Sequence, residues 1–252
     1  MAPLEPRQPP FRRLRIYSLD PSLKARLETA VINETSIAIP WEPLSKGPVG
    51  EYLEVVDYDP ASDYFYDPVD LDHRHLLAQD GLPPSEGNPQ FHQQMVYAVA
   101  MRTIKNFERA LGRPVLWSER RGDDGRRTPQ YVPRLRIYPH ALREANAYYS
   151  PAKKALLFGY FPADASDPGG HLPGGMVFTC LSHDIIAHET SHALLDGIHR
   201  RFIEPTNPTS RNLHNRLKTK ALSDFIHQNR QLPWTTAFFS GFSGSMVTEC
   251  PA

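Results

Sequence analysis

The chain has 252 residues, 40% of them apolar and 22% charged, which is ordinary globular composition with enough length to bury a substantial core. Its 28 basic residues balance 28 acidic ones, excluding the strong charge of a surface built for nucleic acid or anionic membrane. The two cysteines, Cys180 and Cys250, are too few for a disulfide framework and lack metal-ligand spacing. Cys180 lies in the apolar run Met176–Leu181 and reads as an inert buried thiol. The N-terminus has no charged-then-apolar secretory layout, and no stretch approaches the length of a membrane span. A cytoplasmic protein with neither membrane nor nucleic-acid partner is expected.

Proline occurs 25 times, crowded into the first 90 residues, so this region reads as extended segments and turns. Strands are predicted at Ser36–Ile39 and Tyr52–Val56. The acidic cluster Asp57, Asp59, Asp63, Asp67, Asp70 and Asp72 fits no calcium loop and reads as a solvated loop. After a linker over 81–90, Phe91–Leu111 is predicted to be a long helix. Val96, Ala100, Thr103, Phe107 and Ala110 supply its apolar stripe, and Gly112 ends it. A polar loop follows over 121–130. Short strands are predicted at Leu135–Tyr138, Ala147–Tyr149 and Ala155–Phe161, then a glycine-rich loop over 164–175.

Ser182 to Asp196 reads as a second helix, with Ser182 as its N-cap, Asp184 in its first turn and Gly197 as its stop. It contains His188-Glu189-Thr190-Ser191-His192, the pattern H-E-x-x-H. Four residues advance a helix by about 400°, so both histidines share one face, one turn apart. Both can reach a single Zn²⁺ at about 2.0–2.1 Å. Glu189 flanks that ion without ligating it, where it can take a proton from water and deliver it to a leaving amine. Chance gives about one such match per forty chains of this composition, so the helical context carries the weight. Ile185, Ile186, Ala187, Ala193, Leu194 and Leu195 make the helix apolar enough to be buried. Two histidines and a glutamate buried there need partners, and a metal supplies one.

The run Ile185 to Asp196 resembles the active-site helix of the thermolysin-like zinc metallopeptidases. Upstream, Asn146-Ala147-Tyr148-Tyr149 resembles that family's asparagine-alanine-aromatic edge strand, and Ala155–Phe161 the strand that follows it. Gly174-Gly175-Met176 is similar to the loop entering the active-site helix, and the helix over 91–111 and the strand Leu135–Tyr138 stand in the corresponding order. The resemblance covers roughly residues 91–200. It implies an α+β zincin-like fold with a mixed sheet edge-on to the active-site helix. It also implies a zinc endopeptidase in which Glu189 is the base, His188 and His192 hold the metal, and Asn146 and Ala147 bind a peptide substrate.

The resemblance weakens downstream. The family's third ligand is a glutamate in a Glu-x-x-x-Asp pattern, and none of Asp196, Glu204, Asp224 and Glu249 has an aspartate four residues later. His199 could approach a metal only if the helix broke sharply at Gly197. Glu204 and His214 are further candidates, and Asp196 is placed to support His192 from one turn along. Gly241-Phe242-Ser243-Gly244-Ser245 departs from a serine-nucleophile elbow, because its last glycine is one position early. The expected organisation is therefore a proline-rich region over 1–90, a zincin-like lobe over 91–200 and a divergent or truncated tail over 201–252. A catalytically silent zincin-like protein that binds peptides or a partner is the alternative to an active peptidase.

Overall fold

A computed structural model of the chain describes residues 8–19, 21, 33–120, 130–166 and 173–203. By its internal contacts the chain divides into two units, Met1–Pro205 and Thr206–Ala252, and every described residue belongs to the first. The polar loop over 121–129, the centre of the glycine-rich loop over 167–172, and Glu204, His214, Asp224, Glu249, Cys250 and the 241–245 segment lie outside the described residues.

The fold is α+β. Strands β1 (Phe11–Tyr17) and β2 (Glu34–Pro40) form an antiparallel ribbon. Strands β3 (Leu53–Val55), β6 (Leu135–Leu142), β8 (Ala155–Pro162) and β7 (Ala147–Ser150) lie side by side in that order, with β9 (Met176–Phe178) pairing the far end of β8. The β3–β6 and β6–β8 pairs are parallel, and β7 and β9 run antiparallel to β8. A two-residue ribbon joins β4 (Tyr58–Asp59) to β5 (Tyr64–Phe65). Helix α1 (Arg74–Ala78) is short. The long helices are α2 (Pro89–Leu111) and α3 (His183–Ile198).

Helix α2 starts where its capping chemistry dictates. Asn88 accepts the Gln90 N–H at 3.1 Å, Pro89 occupies the first turn, and Gly112 closes the helix in the left-handed region at φ 67°. Its apolar stripe is far wider than the predicted one, because Phe91 to Met101 is buried on every side. The β1–β2 ribbon, the larger sheet and α3 all pack against it. Two buried glutamines reconcile that position with hydrogen bonding. Gln93 accepts the Val69 N–H and donates to Asp57 Oδ2 and the Asp67 carbonyl. Gln94 accepts the Leu82 N–H and donates to the Arg15 and Leu82 carbonyls. Extended segments without ladders of their own are thus satisfied by the helix they cover.

Asp57 and Asp59 correct the solvated-loop reading, since both are buried. Asp57 pairs with His140, and Asp59 accepts the Tyr160 hydroxyl at 2.8 Å. Cys180 is fully buried, and burial, with Asp57 nearby, pushes its thiol well above the usual range. Among the described residues no helix is long and apolar enough to cross a membrane.

Helix α3 differs from expectation at both ends. Ser182 is at the N-cap position, but its side chain makes no capping bond, and Asp184 alone complements the dipole. Gly197 does not stop the helix, which runs on to Ile198. The reason is steric: a Cβ at Gly197 would overlap the Leu116 carbonyl oxygen of the segment that crosses the helix there. The glycine is needed for close approach rather than for a turn. Helix propensity alone would have Gly197→Ala stabilise the protein by about 1 kcal/mol. The packing reverses the sign, and a loss of about 1–3 kcal/mol is expected in urea unfolding.

Candidate metal centre

The H-E-x-x-H side chains all lie on or beside one face of α3. His188 Nε2 and His192 Nε2 face each other at 3.1 Å, with the rings nearly perpendicular at 80°. Two ligands of one tetrahedral zinc ion at ~2.0–2.1 Å stand about 3.3 Å apart, so the pair is spaced for a shared ion. A Glu189 carboxylate oxygen lies within 4.8 Å of both, and Oε1 is 3.9 Å from His188 Nε2. The two polar residues between them do not compete for the site. Thr190 donates to the Ile186 carbonyl at 2.7 Å and Ser191 to the Ala187 carbonyl at 2.8 Å, both one turn back.

Strand β7 sets the position of Glu189. It is the last strand of the path β3-β6-β8-β7, pairing only with β8 among the described residues, and it lies against α3. From its outer edge the Tyr149 N–H donates to Glu189 Oε2 at 2.9 Å. Strand alternation puts the main-chain groups of Ala147 on the same edge, two residues away. Asn146, just before the strand, is exposed and folded onto its own turn. Its amide donates to Glu144 Oε1 at 3.2 Å and its carbonyl oxygen accepts the Ala147 N–H at 2.9 Å. Gly159 in β8 admits this turn, because a Cβ there would overlap the Glu144 carbonyl oxygen. The Thr179 hydroxyl, ahead of α3, stands 3.2 Å from the Asn146 carbonyl and accepts the Gly159 N–H at 2.9 Å.

Two assignments change. Asp196 does not support His192. Its Oδ2 accepts the Tyr149 hydroxyl and the Lys154 ammonium, each at 2.7 Å. The positive φ of Lys154, 51°, turns the β7–β8 hairpin so that this buried side chain reaches back to the helix. Burial and the Asp196 charge together hold the Tyr149 phenol far above its usual range, so it stays a donor. His199 is not drawn back to the histidine pair, because α3 is unbroken at Gly197 and His199 caps it in extended geometry beside Phe202. Among the described residues no further histidine, cysteine or acid joins the His188–Glu189–His192 group.

Tyr149 and Lys154 escape sequence reasoning. A tyrosine in a strand and a lysine after a turn carry no motif, and their shared partner is more than 40 residues away. No family model matches the chain, and no curated protein matches it.

With side chains 7% and 1% exposed, Lys154 and Asp196 form a buried ion pair. Lys154→Met leaves the carboxylate without its cation, and a loss of about 3–5 kcal/mol is expected by denaturant unfolding. Adding Asp196→Asn removes the orphaned charge and is expected to recover most of that loss.

Proposed function

We propose that this chain is a zinc-dependent metalloendopeptidase with a zincin-like catalytic lobe. The observation that carries the reading is the conjunction of the paired His188 and His192 nitrogens with a glutamate tied to the last strand of the β3-β6-β8-β7 path. The donor set and the 3.1 Å spacing fit a zinc ion held by His188 and His192. Such an ion, when bound, supplies Lewis-acid polarisation of the scissile carbonyl and lowers the pKa of water.

The chain's own groups account for the rest. Glu189 takes the proton of the attacking water and hands it to the departing amine, so no covalent enzyme intermediate is needed. Tyr149 fixes the carboxylate from behind through its backbone N–H. An extended peptide adds antiparallel to β7 and pairs with the main chain at Ala147. Asn146 gives up the Ala147 N–H and turns its amide toward the substrate backbone.

Glu189→Gln is expected to retain zinc and lower peptide cleavage by about 10²–10⁴-fold, measured on a fluorogenic peptide library. His192→Ala is expected to lose the zinc as well. Turnover unchanged in Glu189→Gln would refute the mechanism. Stable peptide binding without cleavage by zinc-loaded wild-type protein would instead favour a catalytically silent zincin-like binder.

A further inference from the structure

A second histidine pair lies in the interior, on different elements. His92 is in α2, His140 in β6, and Cys180 in the single 3₁₀ turn Thr179–Leu181 that leads into α3. Their exposures are 1%, 2% and 0%. A ligand atom of each lies within 4.8 Å of the others. His92 Nδ1 and His140 Nε2 face each other at 2.8 Å.

The outer nitrogen of each ring is anchored. His140 Nδ1 donates to Asp57 Oδ1 at 2.6 Å, and His92 Nε2 donates to the Glu86 carbonyl at 2.9 Å. These partners fix the tautomers, and both fixed tautomers present a lone pair inward. An imidazole that ligates a metal is oriented in this way, its other N–H held by a carboxylate or a backbone carbonyl. Two inward lone pairs at 2.8 Å repel unless a cation lies between them. Without a metal a single shared proton does this, making three protons on two rings.

A divalent ion answers the same need with three ligands. Its uptake releases two protons, the shared imidazole proton and the Cys180 thiol proton, and the thiolate becomes a ligand. Once bound, such an ion's two positive charges are matched by one thiolate and the Asp57 carboxylate that holds His140.

We propose that His92, His140 and Cys180 form a second, fully buried structural site for one divalent transition ion of the zinc class. The ion ties α2, the central sheet and the turn before α3 together. This site is independent of the peptidase reading, and sulfur makes it distinguishable, because the His188–His192 pair has no thiolate.

The test uses full-length protein expressed in cobalt-supplemented medium. A thiolate-to-cobalt charge-transfer band in the near ultraviolet is expected in the wild type. The band should persist at full amplitude in the His188→Ala/His192→Ala double variant and in Cys250→Ser, and disappear in Cys180→Ser. Should Cys180→Ser fail to fold, X-ray absorption of zinc-loaded double variant decides without touching the site. One sulfur neighbour at about 2.3 Å supports the proposal. Folded protein with no band and no sulfur neighbour would overturn it in favour of a proton-bridged histidine pair. Loss of the band in Cys250→Ser, or a metal–sulfur signal obtained only with Cu(I), would overturn the assignment as well.

Discussion

The carboxylate of Asp196 is a buried negative charge at the end of the helix that bears the histidines, and such a charge is stable only where donors surround it. Its two donors, the Tyr149 hydroxyl and the Lys154 ammonium, stand on either side of one hairpin turn. Satisfying Asp196 therefore clamps the β7–β8 hairpin to α3. The same residue that donates its hydroxyl to Asp196 donates its backbone N–H to Glu189, two helical turns earlier. One electrostatic requirement thus fixes the distance between the sheet edge and the helix face.

The clamp needs room for backbones to approach, and two glycines supply it. At Gly197 the helix meets the main chain of Leu116, and at Gly159 strand β8 meets the turn at Glu144 and Asn146. Neither glycine has a positive φ, so conformational freedom is not the reason for either. Both are spatial, and both flank the site. Gly159 makes room for the turn before the edge strand, whereas Gly197 lets the main chain of Leu116 cross α3 at close range.

What was legible in the sequence follows the range of the interactions concerned. Helix α2 could be bounded from Gly112 and the periodic stripe, and α3 with its H-E-x-x-H pattern from local spacing, because caps and periodicity act within a few residues. The strand cores at 36–39, 53–55, 135–138, 147–149 and 155–161 were legible for the same reason. Strand β1 was not. Its inward position 12 is an arginine, buried because Leu71, Glu42, Asp72 and the Trp41 ring receive it, and those partners come from 29 or more residues away. The burial of Asp57 and the pairing of His92 with His140 were hidden similarly, each depending on contacts between segments more than 45 residues apart. The zincin-like reading and the chemistry proposed with it go beyond the α+β fold that these elements define.

That geometry divides labour between the two oxygens of Glu189. Oε2 is held by a main-chain N–H, which cannot be repositioned without moving the strand. Oε1 faces His188 Nε2 at 3.9 Å, a distance set by the helix. The same main-chain donor removes rotational freedom from the carboxylate, and in the proposed peptidase such preorganisation would aim the proton-accepting oxygen before substrate binds. The N–H comes from the very strand that would pair with the peptide. Any shift of this strand is therefore felt at the carboxylate, and under the proposed function alignment of the peptide and alignment of the base would be one mechanical event.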